Sequence, residues 1–200
     1  MGMLPYDEKL DRLLGIAADV FASKGYHPTT MRDLARATGM SLAGMYHYVR
    51  GKDELLYLIQ ERCFTRVLEG AAAAMEENGS PIERLRRFIR HHVTFFAAHM
   101  SEMKVLSHEA LCLSDERISG INTLKRRYVA ILTDLVRKVT HQSDANATVD
   151  AYALFGMMNW IYNWYDPHGI VGPEALADQF ANIYVHGLTA SSPASVSQGG

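Results

Sequence analysis

The sequence predicts an all-α protein of about nine helices. Apolar residues recur at three- and four-residue spacing through most of the chain, and glycine and proline fall between these periodic segments. No alternation of apolar and polar residues flanked by hairpin signals is found. Since 48% of the 200 residues are hydrophobic, the helices carry enough apolar surface to build a core.

Three short helices are predicted in the first 51 residues. The first has its apolar residues on one stripe and stops at Gly25, which can take the left-handed conformation that ends a helix. Side-chain hydroxyl groups cap the next two helices, and Gly39 separates them. The predicted elements are Asp7–Lys24, a helix capped at Thr29 or Thr30 that carries Met31, Leu34 and Ala35, and a helix capped at Ser41 that runs to about Tyr48.

In the rest of the chain the hydrophobic periodicity predicts longer helices, which are separated by clusters of polar residues, glycine and proline. Val149–Tyr165 is apolar on nearly all sides, so this segment must be buried on two faces. Residues 141–148 are predicted to form a loop, and the serine-rich residues 190–200 a disordered tail. The predicted helices are Lys52–Glu77, Pro81–Ala98, Ser101–Cys112, a helix from Ser114 through Val139, Val149–Tyr165, and a helix from Pro173 through Leu188.

Composition excludes several classes of protein. Twenty Lys and Arg residues against 22 Asp and Glu leave a net charge of -2, so any surface for a polyanion must be a local patch. Cys63 and Cys112 are too few for a disulfide framework, and no signal segment is recognised, which together predict a cytoplasmic protein. No apolar stretch approaches the ~18 residues that cross a bilayer. No nucleophile elbow is found, so we expect no enzyme.

Thr29–Lys52 has the spacing of a helix-turn-helix, because a capped helix, a glycine turn and a second short helix follow with almost no spare residues. The second helix would fit the ~12 Å major groove of DNA with residues 42–44 and 46–48 on its projecting face. Thr30, Ser41 and Lys52 lie where they can reach phosphate oxygens. A helical hairpin that only packs against its neighbours is the alternative, which the run of tyrosine and histidine disfavours.

From Leu10 to Leu56 the chain carries several residue groups in a fixed order. They are Phe21-Ala22-Ser23-Lys24-Gly25-Tyr26, Thr29-Thr30, Leu34-Ala35, Gly39-Met40-Ser41, Met45-Tyr46-His47-Tyr48 and Lys52-Asp53-Glu54-Leu55. This order resembles the TetR family of repressors. The sequence departs from this order at Val49, since the family usually has phenylalanine at this packing position. The difference predicts that the second helix packs in a slightly different position. The resemblance implies phosphate contacts from Thr30, Ser41, Tyr46, Tyr48 and Lys52, and base contacts from Leu42, Ala43, Gly44 and His47.

The TetR resemblance also implies the domain organisation and the partners. Residues 1–51 would bind a palindromic double-stranded DNA operator, and residues 52–189 would form a homodimer through their last two helices and enclose a small-molecule inducer. Asn159–Pro167, followed by Leu176-Ala177, is similar to the closing helices of TetR regulators of fatty-acid and steroid catabolism, whose inducers are CoA thioesters. The implied inducer is therefore an acyl-CoA or a steroid-derived CoA thioester.

Aromatic side chains at helical spacing can line such a pocket, although they more often form plain core. His92, Asn159 and Asn163 are stronger candidates for ligand contacts, because each would need a polar partner if it were buried. The arginines within residues 84–90 form either a solvent-exposed helix face or a binding site for CoA phosphates. The candidate ligand residues are Phe64, Phe88, His92, Phe95, Phe96, Met157, Trp160 and Trp164.

His108 and Cys112, with Glu109 between them, resemble the zinc-protease pattern with its second histidine replaced by cysteine. Two ligands do not make a site, and a third would have to come from the histidines at 91, 92 or 99. Scattered histidines are the simpler interpretation, so no metal or other cofactor is predicted. Three hypotheses remain: a repressor released by a hydrophobic inducer, a ligand-independent DNA-binding regulator with a filled core, and a metal-sensing repressor.

Overall fold

The computed structural model describes residues 6–76, 78–109 and 112–191, and within these ranges it contains nine α-helices and no β-strand. The predicted all-α class is confirmed. No helix in these ranges is long and apolar enough to cross a membrane. The helices are α1 (Tyr6–Lys24), α2 (Met31–Thr38), α3 (Leu42–Tyr48), α4 (Lys52–Glu76), α5 (Pro81–Ala98), α6 (Met100–His108), α7 (Asp115–Thr140), α8 (Asp144–Asn159) and α9 (Pro173–Ser191). A short 3-10 turn, Trp160–Asn163, follows α8.

The boundaries of α8 differ from the predicted ones. The helix begins at Asp144, so the predicted loop at 141–148 is wrong from that residue onward. Ser143 caps it by accepting a hydrogen bond from the Asn146 amide at 3.5 Å. Its first turn has a polar composition, and a polar helix start cannot be told from a loop by hydrophobic periodicity. The predicted helix to Tyr165 is likewise shorter, because the backbone tightens into the 3-10 turn after Asn159.

The first of two compact units contains the residues up to 66 together with 99–125. Within it α1 packs against α2 and α6, and α2 packs against α3. This unit does not coincide with the predicted domains 1–51 and 52–189, which were defined by function, because it includes α6. Its buried side chains include Leu13, Ala17, Phe21, Leu34, Met45, Leu55 and Val105.

The second compact unit contains residues 67–98 and the residues from 126 onward. Here α5 packs against α8 and α9, and α8 packs against α9. Because α9 ends at Ser191, the first two residues of the predicted disordered tail are helical, and 192–200 lie outside the described residues. The buried side chains include Leu85, Phe88, Ile89, Val93, Leu132, Leu154, Met158 and Ala177.

Gly70, within α4, is a position where a methyl group has no room. A Cβ there would lie 2.2 Å from Cε1 of His91, whose Nε2 donates a hydrogen bond to the Val67 carbonyl oxygen at 3.0 Å. We expect Gly70→Ala to lower the free energy of unfolding by about 1–3 kcal/mol, since the ring must leave this hydrogen bond. Gly15→Ala is the control, because no atom lies within 4 Å of its Cβ position, and it should gain up to ~1 kcal/mol from helix propensity. Equal stabilisation of both variants in urea unfolding would contradict the clash.

Candidate DNA interface and ligand site

Helix α3 presents an exposed face between two buried anchors. Met45 and Val49 are buried and hold the helix against the core of its unit. Val49 thus occupies the packing position predicted for it. The predicted contact residues divide into the exposed Ala43, Tyr46 and His47 and the half-buried Leu42, Gly44 and Tyr48. With Tyr46 51% exposed, the face has an aromatic hydroxyl group available to a partner surface.

Both helices of the helix-turn-helix begin at side-chain caps. Thr30 and Asp33 form a capping box, in which the Thr30 hydroxyl accepts from the Asp33 amide at 3.2 Å and Asp33 Oδ2 accepts from the Thr30 amide at 2.9 Å. Ser41 Oγ accepts a hydrogen bond from the Gly44 amide at 3.0 Å. Between the helices Gly39 has a φ of 69°, a left-handed conformation that lets α2 end abruptly. Thr30 and Ser41 are exposed, so they set the helix starts while facing solvent.

Lys52 has surroundings that differ from the predicted phosphate contact. Its Nζ lies 2.8 Å from the carbonyl oxygen of Tyr26 and 3.0 Å from those of His27 and Thr29. The ammonium group also lies 4.3 Å from the centroid of the Tyr26 ring. Because an ammonium group has three N–H donors, these carbonyl oxygens occupy all of them. Lys52 therefore holds the turn before α2 in place, and in this arrangement it has no donor left for a phosphate.

Three exposed arginines near the helix-turn-helix were not among the predicted contacts. Arg32 and Arg36 lie on the exposed side of α2, and Arg50 follows α3. They are separated in sequence, so they do not form the run of basic residues that usually signals a nucleic-acid surface. Their position in the motif could have identified them, because the first helix of a helix-turn-helix crosses the DNA backbone.

A buried aromatic cluster surrounds His92 in the second compact unit. The His92 ring centroid lies 4.7 Å from that of Phe96, 5.7 Å from that of Phe155 and 5.9 Å from that of Tyr128. Phe88 joins the cluster with its centroid 5.1 Å from that of Tyr128. The structure thus brings together the predicted Phe88, His92 and Phe96. It adds Tyr128 and Phe155, which the sequence identified only as apolar helix positions.

His92 is a fully buried polar group with one unsatisfied nitrogen. Its Nδ1 lies 3.1 Å from the Tyr128 hydroxyl oxygen, but its buried Nε2 has no hydrogen-bond partner. Burial, with His91 adding to it, lowers the pKa of His92 to about 3 against the opposing effect of the Asn159 side chain, so the ring is neutral at pH 7. Because unfolding restores the ordinary pKa of ~6.5, this group destabilises the fold as the pH falls below that value. An orphaned buried nitrogen costs about 1–3 kcal/mol unless another group satisfies it.

The other predicted ligand residues are spread more widely, although the Phe95 ring centroid lies 5.1 Å from that of Phe96 and the Asn159 side chain reaches His92. Trp160 and Trp164 are 59% and 54% exposed, and Asn159 and Asn163 are exposed as well. Phe95 and Met157 are half-buried. Phe64 is buried in the first compact unit, where the Lys125 ammonium lies 5.6 Å from its ring centroid. The two tryptophans are surface residues of the protomer because α8 gives way to the 3-10 turn before them.

Residues 13–57 match the family model described as bacterial regulatory proteins, tetR family. Residues 78–188 match the model described as tetracyclin repressor-like, C-terminal domain. The chain belongs to the tetR family. As a TetR protein it is a DNA-binding transcriptional repressor, and the resemblance found between Leu10 and Leu56 is confirmed.

Relatives match this TetR protein over most of their length. The HTH-type transcriptional repressor KstR2 of Rhodococcus jostii (strain RHA1) is 27% identical over 186 residues, which cover 88% of this chain and 89% of the relative. A TetR-family transcriptional regulator from Bordetella parapertussis 12822 has a TM-score of 0.85 at 25% identity, covering 90% of this chain and 95% of that one. AibR, solved with isovaleryl coenzyme A and operator DNA, has a TM-score of 0.77 at 28% identity, covering 88% and 97%.

TetR proteins form dimers, and this chain has an apolar surface in the region predicted for dimerisation. Large apolar side chains on α8, the 3-10 turn and α9 are more than half exposed. They are Val149, Tyr152, Trp160, Trp164 and Ile183. The segment 149–165, which was predicted to be buried on two faces, thus has one apolar face exposed in the protomer.

The arginines of α5 in this TetR protein are already engaged with other residues. Arg86 and Arg90 contact side chains of α9, whereas Arg84 and Arg87 donate to carbonyl groups that precede α5. The partners are Asn182 Oδ1 at 2.7 Å for Arg86, Asp178 for Arg90, the Gly79 carbonyl at 3.2 Å for Arg84 and the Ala74 carbonyl at 3.1 Å for Arg87. A phosphate would have to compete with these contacts.

Cys112 lies outside the helix that carries His108, unlike the second ligand of the zinc-protease-like pattern. The predicted helix to Cys112 ends at His108, so the two residues do not share a helix face. Within the described ranges the possible metal ligands whose donor atoms all lie within 4.8 Å of one another are instead His27, Glu109 and Cys112.

Proposed function

We propose that this TetR protein is a dimeric repressor that leaves its operator when a hydrophobic inducer, of the acyl-CoA or steroid-derived CoA thioester class, enters the second compact unit. The observation that carries the proposal is the buried Nε2 of His92, which lacks a hydrogen-bond partner inside an aromatic cluster. A ligand with a carbonyl or hydroxyl oxygen would satisfy this nitrogen while its apolar part packs among the rings.

At the DNA end, α3 enters the major groove with its exposed face toward the bases. His47 and Ala43 contact base edges together with Leu42 and Gly44, and Tyr46 and Tyr48 contact phosphates. Thr30 and Ser41 present the amide ends of α2 and α3 to the backbone. The exposed arginines at 32, 36 and 50 add phosphate contacts, and Lys52 acts through the turn that it holds.

Two copies of the chain associate through the exposed apolar surface of α8, the 3-10 turn and α9. Dimerisation places two α3 helices on half-sites ~34 Å apart, and a palindromic operator follows from the two-fold symmetry. The inducer prefers a conformation in which this spacing no longer matches successive grooves, so ligand and DNA weaken each other's binding by the same factor.

The acyl part of the inducer is the better supported half. AibR, which binds isovaleryl coenzyme A according to its structure, covers most of this chain at 28% identity. Each methylene group buried in the aromatic cluster would contribute ~0.8 kcal/mol. The CoA phosphates have weaker support, because the arginines of α5 already have partners within the chain.

We expect the thioester, and neither half alone, to release DNA. A duplex selected from a random library by the protein would be titrated in a gel shift with isovaleryl-CoA, longer acyl-CoA and steroid-acid CoA thioesters, the matching free acids, and free CoA. Release by a thioester alone supports the proposal. Equal release by the free acid places the whole ligand in the helical core, and release by none of them contradicts an inducer of this class.

His92→Phe separates a ligand role from a structural one. The phenyl ring removes the orphaned nitrogen but also the hydrogen bond between Nδ1 and the Tyr128 hydroxyl, so the two effects oppose each other and the free energy of unfolding should change by no more than about 1 kcal/mol. We expect the variant to bind the operator normally but to need about 2- to 10-fold more inducer, because it loses a neutral hydrogen bond worth about 0.5–1.5 kcal/mol. Tyr128→Phe is the matched control, since it removes the partner of Nδ1 and leaves Nε2 in place. An unchanged inducer response in His92→Phe would contradict the ligand role.

A ligand-independent regulator is the second candidate, and the close packing of Phe88, Phe96 and Phe155 around His92 favours it. In that case the cluster is an ordinary filled core. A thermal melt distinguishes the two candidates, because only a protein that binds the thioester gains melting temperature on its addition.

A further inference from the structure

His27, Glu109 and Cys112 come together within the first compact unit although the first two are 82 positions apart in sequence. The Cys112 Sγ lies 3.4 Å from His27 Nε2 and 3.4 Å from Glu109 Oε2. His27 belongs to the turn between α1 and α2, whereas Glu109 and Cys112 follow α6. The His27 side chain is exposed, and those of Glu109 and Cys112 are half-buried, so the cluster is open to solvent.

These distances fit a tetrahedral metal centre. A zinc ion binds thiolate sulfur at ~2.3 Å, imidazole nitrogen at ~2.0–2.1 Å and carboxylate oxygen at ~2.0–2.2 Å. At the tetrahedral angle, sulfur and either lighter ligand atom then lie ~3.5 Å apart, close to the separations found here. Imidazole, thiolate and carboxylate are also ligand types that zinc and its neighbours in the first transition row accept.

The backbone around the cluster fixes the direction of its ligands. Glu109 Oε1 accepts a hydrogen bond from the Tyr26 amide at 3.2 Å, which turns Oε2 toward Cys112. The Cys112 amide donates to the Glu109 carbonyl oxygen at 3.2 Å, which holds the backbone of these two residues close together. On the other side Lys52 holds the carbonyl groups of the turn that carries His27. Such outer hydrogen bonds orient the ligands of metal sites.

We propose that His27 Nε2, Glu109 Oε2 and Cys112 Sγ bind one divalent transition-metal ion of the zinc type, with solvent completing the coordination. Binding releases the thiol proton to solvent and leaves a thiolate on the metal. The ion links the turn that leads into α2 with the segment that follows α6. It therefore stabilises the unit that carries the helix-turn-helix, at a site separate from the aromatic cluster around His92.

The test uses tag-free full-length protein, cobalt(II) as a spectroscopic probe and zinc(II) in competition with a chelating dye. We expect one cobalt ion per chain, a thiolate-to-cobalt charge-transfer band and the visible bands of a tetrahedral ion, all displaced by zinc. Cys112→Ser should abolish the charge-transfer band, and His27→Ala should weaken zinc binding by at least ~10-fold. Zinc should raise the melting temperature of the unmodified protein but not that of Cys112→Ser.

Two matched controls distinguish this site from the alternatives. Cys63→Ser removes the other, buried cysteine, and His108→Ala removes the histidine of the zinc-protease-like pattern. Both should bind cobalt as the unmodified protein does. Loss of binding in His108→Ala with retention in His27→Ala would overturn the proposal, as would the absence of a charge-transfer band in the unmodified protein. Circular dichroism of each variant verifies that it is folded.

Discussion

Ile183→Asp should turn the dimer into a monomer and lower operator affinity by at least ~30-fold. Ile183 is 55% exposed on α9, within the proposed dimer surface, so the carboxylate is solvated in a protomer but must lose its water in a dimer. A monomer engages one half-site and loses roughly half of the ~4–10 kcal/mol that separates specific from non-specific DNA binding. The lower end of that loss, ~2 kcal/mol, corresponds to a ~30-fold change in affinity.

Sedimentation at micromolar concentration and a gel shift on the selected duplex measure the two effects of Ile183→Asp. Ile82→Asp is the matched control, because Ile82 is an exposed isoleucine on α5, outside the proposed surface. It should leave both mass and affinity unchanged. Sedimentation of the unmodified protein as a monomer would contradict the proposed surface, as would a dimeric Ile183→Asp variant.

Tyr46→Ala should weaken binding to cognate and scrambled duplexes alike, by about 10- to 100-fold. The hydroxyl of Tyr46 is on the exposed face of α3, and a hydrogen bond to a charged phosphate contributes about 1.5–3 kcal/mol. Because phosphates carry no base information, the loss should not depend on sequence. The free energy of unfolding should stay within ~0.5 kcal/mol of the original value, since this is a surface substitution.

Two other variants serve as comparisons for Tyr46→Ala. His47→Ala should change the preference among duplexes rather than the overall affinity, because its exposed side chain is the one proposed to contact base edges. Lys52→Met should weaken DNA binding only together with the free energy of unfolding, because its ammonium group holds three carbonyl groups of the turn before α2. Salt titrations and urea unfolding of all three variants provide the comparison. Unchanged affinity in Tyr46→Ala, or sequence-dependent loss, would remove α3 from the proposed groove.

The order of the helices and the helix-turn-helix could be predicted because their signals are local. Ser41, Thr30 and Gly39 start and stop helices through contacts within a few residues, and the structure confirms each of these roles. The start of α8 at Asp144 was missed although its cap is also local, because the polar residues around Ser143 were interpreted as a loop. Its polar first turn depends on the Ser143 cap and not on an apolar stripe.

Contacts between distant segments decided what the local pattern could not. Lys52 had the position of a phosphate ligand, but the turn at Tyr26 uses its donors. His92 was predicted as a ligand residue only on the condition that it is buried, and helix packing buries it beside Tyr128 and leaves one nitrogen without a partner. The sequence by itself determined the all-α class and the family, because periodicity, caps and fixed residue order are properties of neighbouring residues. Only the tertiary structure brought Cys112 next to His27, because these two residues are 85 positions apart and approach each other through folding alone.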